Sequence, residues 1–137
     1  MCCVNLDPAS EPIYDAAIDI RNFVRTEDVM KTFNLGVNGA LIKSIELGVE
    51  YADELRCNAE YVLYDTPGQM ELFIYSESGR RFVREISDGF TSALFLMDIT
   101  AVRDAESFLS AVLQTSSSRC VCHCRLSPCL QRPTWWT

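Results

Sequence analysis

The sequence of 137 residues has no run of about 18 or more uncharged apolar residues, which excludes an ordinary membrane-spanning helix. Its first residues, MCCV, have neither the basic nor the apolar region of a secretory signal. From these two absences we expect a chain that works in the cytoplasm without entering a membrane. Apolar residues make up 48% of the chain, as in ordinary globular proteins, and the length suits one domain.

Acidic residues are missing from residues 116–137, although the whole chain has a formal net charge of −7. Residues 1–115 hold all nineteen Asp and Glu and nine of the twelve Lys and Arg, a net charge of −10, and residues 116–137 hold the other three, a net charge of +3. An acidic body repels nucleic-acid backbones, so we expect no direct binding of nucleic acid.

The composition of residues 116–137 also departs from that of the rest. This stretch contains SSS near its start, is rich in Cys, Arg and Pro, and shows no apolar periodicity. We predict that residues 1–115 form a partial α/β domain and that residues 116–137 are disordered and foreign to it.

The seven cysteines are divided between these two parts of the chain. Without a secretory signal, we expect no disulfide framework. The tail offers five potential zinc ligands, but their spacing is too cramped for two ligand pairs, so chance clustering is the favoured interpretation. These residues are Cys120, Cys122, His123, Cys124 and Cys129.

Two short apolar runs, residues 61–64 and residues 93–97, predict strands that are buried on both faces, as in a parallel sheet. A helix over residues 77–87 would join them into a right-handed βαβ unit. Residues 4–6 predict the end of a further strand, which stops because Pro8 cannot donate a ladder hydrogen bond.

Helices are predicted between and after these strands. Residues 27–33 form a short helix with Thr26 as its N-cap, and residues 35–39 form a loop because two glycines flank an asparagine. Apolar residues then recur at spacings of three and four from Leu41 to Leu55, which predicts an amphipathic helix. Residues 102–113 predict another helix that covers the sheet.

The string DTPGQ at residues 65–69 follows an apolar run directly and is the strongest functional motif. In open α/β sheets, ligands bind beyond the carboxyl ends of the strands. There, Asp65 can hold magnesium through water, Gly68 lets a backbone N–H approach a terminal phosphate, and Gln69 can orient a water. The alternative is an ordinary strand-to-helix turn, in which Pro-Gly is common. Asp7 follows the other presumed strand and predicts a second acid beside Asp65.

Four blocks carry a family resemblance: VNLDPA at 4–9, YDAAIDIRNF at 14–23, NLGVNGALI at 34–42 and YVLYDTPGQMELF at 61–73. On these blocks, the chain resembles the GPN-loop GTPases, of an archaeal kind, over about residues 4–114. The resemblance implies an α/β fold, an incomplete P-loop-type parallel sheet with flanking helices, and hydrolysis of GTP with Mg²⁺. It also implies a homodimer or a dimer with an intact relative, and work on the assembly of RNA polymerase and similar complexes.

The family is named after a Gly-Pro-Asn insertion that reaches the partner's nucleotide site. Here the tripeptide is Gly36-Val37-Asn38, which keeps the polar asparagine but loses the ring that fixes φ, so we expect a less rigid loop. The resemblance further implies a role for each position of the motifs. It assigns catalysis to Asp7, Gln69 and Glu71, Mg²⁺ to Asp7 and Asp65, and nucleotide contacts to Gly36, Val37, Asn38, Thr66 and Gly68.

Two family motifs are not found in the 137 residues: the Gly-Lys-Ser/Thr of the phosphate loop and the base-reading Asn-Lys-x-Asp. We therefore expect a chain truncated at both ends that hydrolyses GTP weakly or not at all. Two alternatives stay open. One is a non-catalytic module that dimerises with an intact relative during assembly, and the other is an ATPase of the related chromosome-partitioning class.

Overall fold

The computed structural model describes residues 1–69, 71–87, 91–98, 104–122 and 125–131. The chain divides into two compact units, Met1–Ile86 and Ser87–Thr137. Short 3₁₀ turns lie at Ile20–Asn22 and Val49–Tyr51. The strands and α-helices in chain order are β1 (Cys2–Asn5), β2 (Ile18–Asp19), α1 (Thr26–Phe33), α2 (Val37–Gly48), β3 (Val62–Asp65), α3 (Glu71–Ile74), α4 (Glu77–Ile86), β4 (Ser92–Asp98), α5 (Ala105–Cys122) and β5 (Arg125–Gln131).

The sheet of the first unit has the strand order β2-β1-β3, and both pairings are parallel. In this register Asn5 is the partner of Asp19 on one side and of Asp65 on the other. Because the strands are parallel, all three carboxyl ends lie at one edge of the sheet, where ligands bind in open α/β proteins.

The core of the first unit forms where α2 and α4 pack against the sheet. Phe82 and Ile45 are fully buried there, together with Leu6 from the end of β1. Gly48 lies at this contact, and a methyl group in its place would meet Ile20 Cδ1 at 3.0 Å. A small residue is therefore needed where α2 ends against the Ile20 side chain.

Several predicted elements agree with the structure of the first unit. The run at residues 61–64 forms β3 one residue further on, and the helix predicted at residues 77–87 is α4, which buries Phe82 and Ile86. The amphipathic segment that begins at Leu41 lies in α2, although the α-helix ends at Gly48 and continues as a 3₁₀ turn.

Two local predictions are wrong. Thr26 is the first residue of α1 and not its N-cap; it is buried, and its Oγ1 accepts a hydrogen bond from Ser44 Oγ at 3.5 Å. Residues 35–39 are not all loop, because Gly36 serves as the N-cap of α2 and its carbonyl accepts from the N–H of Ala40. Val37 and Asn38 therefore stand in the first turn of a helix.

A disulfide joins Cys2, at the start of β1, to Cys57, in the segment that leads into β3. Their Cα atoms are 6.7 Å apart and 55 residues separate them in the sequence. This bond corrects the expectation of a chain without disulfides, which was based on the redox compartment and not on where the strands place the two thiols. The parallel pairing of β1 and β3 brings these two segments together.

The second unit contains a two-stranded parallel sheet in which β4 pairs with β5 from Ser92↔Arg125 to Asp98↔Gln131. The predicted βαβ unit of one sheet is corrected here, since β3 and β4 belong to different sheets. The expectation that both apolar strands are buried on both faces is also wrong, because Leu63 in β3 is 51% exposed and Leu94 in β4 is 64% exposed. An apolar run predicts burial only where a further layer covers it.

The described part of residues 116–137 contains the end of α5 and β5, and the division of the chain at residue 115 into a partial domain and a disordered tail remains a prediction. Helix α5 continues to Cys122, and Arg125–Gln131 forms β5. β5 pairs with β4 through backbone hydrogen bonds, which any residue except proline can donate. His123 and Cys124 lie outside the described residues, so the interpretation of the zinc ligands as a chance cluster remains a prediction.

We expect Phe82→Ala to lower the free energy of unfolding by about 3–5 kcal/mol, because it leaves a cavity at the centre of the α2–α4 contact. Phe33→Ala is the matched control, since Phe33 is 47% exposed, and we expect it to cost at most about 1 kcal/mol. Urea denaturation followed by far-UV circular dichroism measures both values. Equal losses in the two variants would contradict the assignment of Phe82 to the core.

Candidate functional site

The candidate site lies where β1 and β3 end side by side. The N–H of Leu6 donates to the backbone carbonyl of Asp65 at 2.7 Å, which extends the strand pairing by one residue beyond β1. Asp7 follows directly after this bond. The two acids that the sequence predicted to be neighbours therefore lie at the same edge of the sheet.

A cavity of about 150 Å³ opens at this edge. One wall is formed by the ends of the two strands, and the other is formed by the chain that follows Asp7. Its lining residues are Asn5, Asp7, Ser10, Glu11, Pro12, Ile13, Tyr14, Asp65 and Thr66. Three residues predicted from the sequence, Asp7, Asp65 and Thr66, are thus brought into one cavity.

The carboxylate of Asp7 is held by the backbone that follows it. Its Oδ1 accepts hydrogen bonds from the N–H groups of Ala9 at 2.9 Å and Ser10 at 3.3 Å. An acid followed closely by such donors forms an Asx-type turn, which fixes both the chain direction and the side chain. Oδ1 of Asp7 is engaged in this way, while its Oδ2 accepts no hydrogen bond from the described residues.

Asn5 is buried beneath the site and binds the backbone of Asp7. Its Oδ1 accepts from the N–H of Asp7 at 3.1 Å, and its Nδ2 donates to the carbonyl of Asp7 at 3.3 Å. The same Nδ2 also donates to Oδ1 of Asp19 at 3.0 Å. A single buried amide therefore connects the end of β1 with the end of β2.

Asp19 is the centre of this polar network. Arg21 binds both of its carboxylate oxygens, with Nη2 at 2.7 Å and Nε at 3.0 Å from Oδ2, and the N–H of Arg21 donates to Oδ1 at 2.9 Å. Burial raises the pKa of Asp19, but the hydrogen bonds from Arg21 and Asn5 and the charge of Arg21 outweigh it, so that the pKa is lowered overall. Asp19 is held as the carboxylate.

Tyr14 reaches across the cavity to the second acid. Its hydroxyl donates a hydrogen bond to Oδ2 of Asp65 at 2.9 Å, between residues that are 51 positions apart in the sequence. Burial, this hydrogen bond and the negative charge of Asp65 raise the pKa of Tyr14 to about 12. The phenol is therefore neutral at physiological pH and acts as a donor.

Gly68 and Gln69, later in the DTPGQ string, are exposed and have open space around them. A Cβ built on Gly68 would meet no atom within 4 Å, and the side chain of Gln69 is exposed. The carbonyl of Gln69 accepts from the N–H of Leu72 and so leads the chain into α3. Glu71 begins this helix, and its side chain lies outside the described part of the structure.

Gly36, Val37 and Asn38 are not among the residues that line the cavity of their own chain. They form the exposed start of α2, with Val37 57% exposed, and a Cβ on Gly36 would also meet open space. This tripeptide and the carboxylates are thus separate features of one chain.

The residues of the cavity fit a hard divalent cation such as Mg²⁺. The carboxylates of Asp7 and Asp65 and the hydroxyl of Thr66 supply oxygen donors, which are the ligands that Mg²⁺ prefers. Among the described residues, no three His, Cys, Asp or Glu side chains cluster as a metal cage. This donor set suits Mg²⁺, which usually keeps several waters and takes only one or two carboxylates.

Sequence reasoning did not identify Asn5, Tyr14, Asp19 and Arg21 as part of the site. All four lie in the two blocks, VNLDPA and YDAAIDIRNF, that supported the family resemblance. The clue was a polar residue within a strand, Asn5, since a buried amide requires partners. The pattern of apolar residues alone could not give the partners, because they depend on the strand register.

Three comparisons place this chain among known proteins. A family model described as "Conserved hypothetical ATP binding protein" matches residues 1–126. GPN-loop GTPase 3 of Saccharomyces cerevisiae is 36% identical over 84% of this chain, and GPN-loop GTPase QQT2 of Arabidopsis thaliana is 37% identical over 83% of it. A crystal structure of a GTPase in apo form from Pyrococcus abyssi superposes with a TM-score of 0.80 at 27% identity, over 94% of this chain and 54% of that one.

The parallel sheet, its flanking helices and this likeness define an α/β protein with a P-loop-like nucleotide-binding fold. Within that class, the chain belongs to the GPN-loop GTPase family. It spans 46% of the length of the yeast relative and 32% of that of the plant relative. The expected family and fold class are confirmed. In the described part of the chain, no helix is long and apolar enough to cross a membrane.

We expect Arg21→Met to lower the free energy of unfolding at pH 7 by more than an exposed ion pair would, because Asp19 loses its charged donors. In the folded chain the pKa of Asp19 lies below the pKa of about 4 that it has in the unfolded chain. Ionised Asp19 therefore stabilises the fold at pH values above about 4, and this contribution is lost as the pH falls through the pKa of the folded chain. The difference between wild type and variant should therefore shrink below about pH 4. Urea denaturation at pH 7 and pH 3 measures it.

Lys43→Met is the matched control for this prediction. Lys43 pairs with Glu46 at 2.9 Å on the exposed side of α2, and such pairs contribute about 0.5 kcal/mol or less. If Arg21→Met costs no more than Lys43→Met, or if its cost is the same at both pH values, the Asp19 network does not support the fold.

Proposed function

We propose that this chain contributes to a site for Mg²⁺-dependent hydrolysis of GTP in a cytoplasmic, dimeric GPN-loop GTPase. The observation that supports the proposal is the cavity in which Asp7, Asp65 and Thr66 meet at the carboxyl ends of two parallel strands. Family membership supplies the reaction class, since the named relatives are GTPases. The clients that the resemblance implies, RNA polymerase assembly components, are part of this proposal.

Each acid has a separate part in the proposed chemistry. When bound, Mg²⁺ would neutralise charge on the phosphate oxygens. Asp65 would hold the hydrated ion through its carboxylate, and Asp7 would either share this task or accept a hydrogen bond from the attacking water. The turn at Ala9 and Ser10 keeps Asp7 in a fixed position, so that little reorganisation is needed during the reaction.

The residues after Asp65 would act on the terminal phosphate and the water. Gly68 offers its N–H to the phosphate, because no side chain blocks the approach. Gln69 has an exposed amide that can orient the attacking water, and Glu71 would polarise that water or hold Gln69. Residues of this type supply positioning and electrostatic stabilisation and form no covalent bond.

Gly36, Val37 and Asn38 would complete the site of a neighbouring subunit. Support comes from their position, which is exposed and apart from the cavity of their own chain. Val37 takes the first helical position, where proline is favoured because its φ is fixed in advance. Valine adopts the same backbone angles at a cost in rigidity, which leaves Asn38 available at the start of α2.

GTP rather than ATP is proposed on the names of the relatives, although the matching family model is described as ATP-binding. The base-reading motif that would decide between them is not found in the 137 residues. The same holds for the Gly-Lys-Ser/Thr motif, whose backbone N–H groups and lysine carry much of the phosphate affinity. These residues alone should therefore bind nucleotide weakly.

We expect the 137-residue chain to bind a non-hydrolysable GTP analogue with a Kd no tighter than about 1 mM, equivalent to about 4 kcal/mol. Isothermal titration calorimetry with Mg²⁺ measures this constant. The corresponding ATP analogue is the control and should bind equally weakly, because nothing in the described site reads the base. A micromolar constant for either nucleotide would mean that other residues of this chain bind the phosphates.

The dimer is tested in a chimera that receives the phosphate loop and the base-reading segment of yeast GPN-loop GTPase 3. We expect Gln69→Leu and Asn38→Ala each to lower kcat by about 10²–10⁴, with a small effect on KM, because Gln69 would orient the attacking water and Asn38 would contact the nucleotide in the neighbouring site. Asn58→Ala, at an exposed loop asparagine, is the matched control and should keep full activity.

Mixing the two inactive chimeras then tests the trans arrangement. In a mixed dimer, the subunit that carries Asn38→Ala retains Gln69 and receives Asn38 from its neighbour. We expect an equal mixture to recover about a quarter of the wild-type rate if subunits exchange at random, because half of the dimers are mixed and each of these has one intact site of two. Mixed dimers that hydrolyse GTP no faster than either variant alone would exclude a role for Asn38 in the neighbouring site.

A further inference from the structure

The chain between β1 and β2 is anchored near its start, near its end and at several points between them. At its start, the Asp7 carboxylate holds the N–H groups of Ala9 and Ser10. At its end, the N–H of Ala17 donates to the carbonyl of Cys3 at 2.9 Å. Between these ends, the carbonyl of Pro8 accepts from the N–H of Thr26, Glu11 lies 4.0 Å from Arg21, and Tyr14 crosses to β3.

The Tyr14 hydroxyl selects one of the two oxygens of Asp65. It donates to Oδ2 at 2.9 Å, while Oδ1 accepts no hydrogen bond from the described residues. Asp65 is exposed, so that without this donor its carboxylate could rotate freely in water. A donor fixed on Oδ2 restricts the carboxylate plane and leaves Oδ1 as the available acceptor.

Both residues line the same cavity, which places this hydrogen bond beside the oxygens of Asp7 and Thr66. Partners in the outer shell commonly orient carboxylates that hold metal ions, and their loss weakens metal binding by about 10–100-fold. A tyrosine hydroxyl suits this role because it donates without carrying a positive charge that would repel the cation.

We propose that Tyr14 is a positioning residue, which orients the carboxylate of Asp65 toward a hydrated divalent cation in this cavity. The inference rests on the proposed function in one respect, namely that Asp65 faces the cation. It adds that the segment between β1 and β2 controls cation affinity through a single hydroxyl. Tyr14 acts through Asp65 and touches neither the cation nor the nucleotide.

The test uses Mn²⁺ as the probe and the 137-residue chain as it stands. Electron paramagnetic resonance of free Mn²⁺ gives the Kd for the wild type and for Tyr14→Phe, which removes only the hydroxyl. We expect the variant to bind Mn²⁺ about 10-fold more weakly. Tyr75→Phe is the matched control, since Tyr75 is a 70% exposed tyrosine that does not line the cavity, and it should bind like the wild type.

A double-mutant cycle separates positioning from a merely structural role. If Tyr14 acts through Asp65, then Tyr14→Phe has no further effect on the Mn²⁺ affinity of an Asp65→Asn chain. The side-chain amide introduced by Asp65→Asn still offers an oxygen to Tyr14, so hydrogen exchange of residues 9–17 should stay as in the wild type. A Tyr14→Phe chain that loses its near-UV circular dichroism would assign the hydroxyl to folding and overturn the proposal.

The remaining outcomes distinguish this inference from the proposed function. If Asp65→Asn weakens Mn²⁺ binding but Tyr14→Phe does not, the cation site stands and the role of Tyr14 is overturned. If Tyr14→Phe weakens binding equally in both backgrounds, Tyr14 acts independently of Asp65 and the proposal is again overturned. If the wild type binds no Mn²⁺ up to about 10 mM, the cation site and the inference both fail.

Discussion

The parallel pairing of β1 with β3 is the constraint on which the site depends. It sets Asn5 beside Asp65 and places the N–H of Leu6 on the carbonyl of Asp65, so that the chain leaves both strands at the same height. A slip of one residue would turn the side chains after each strand to the opposite face of the sheet. Asp7 and Asp65 would then no longer line one cavity. The register of β1 and β3 therefore brings the two carboxylates into one cavity, and the packing of the core stabilises this register.

The polar network under β1 extends this constraint to the third strand. Asn5 is buried and engages Asp7 and Asp19, and Arg21 neutralises Asp19 through two nitrogen atoms. Such a network costs desolvation energy and is tolerated where every member has a partner. The side-chain amide of Asn5 fixes the backbone of Asp7, and the N–H groups of Ala9 and Ser10 fix its carboxylate. Rigidity at a carboxylate lowers the reorganisation needed when charge develops nearby.

Much of this architecture could be predicted from the amino-acid pattern. The apolar run before Asp65 predicted β3, and the spacing of Phe82 and Ile86 predicted the buried face of α4. The DTPGQ string and the DP pair located the two acids because strand ends share an edge in a parallel sheet. These inferences hold because they rest on local periodicity and on a rule of topology.

Other features depend on contacts that the pattern does not contain. Tyr14 meets Asp65 across 51 residues, and Cys2 meets Cys57 across 55. Such pairs follow from the register and the path of the loops, and not from spacing along the chain. The exposure of Leu94 in β4 shows the same limit, since an apolar run does not reveal which layer covers it. Glycines likewise predicted a loop at residues 35–39, although Gly36 is the N-cap of a helix.

We propose that Asp7 and Asp65 face one divalent cation, and paramagnetic broadening in a two-dimensional amide NMR spectrum tests this most directly. On titration with Mn²⁺, we expect the amides of residues 7–10 and 65–69 to broaden first and together. Asp7→Asn and Asp65→Asn should each weaken the broadening of both segments, because the ion is shared. Broadening of one segment alone, or first broadening elsewhere in the chain, would contradict a shared site at the carboxyl ends of β1 and β3.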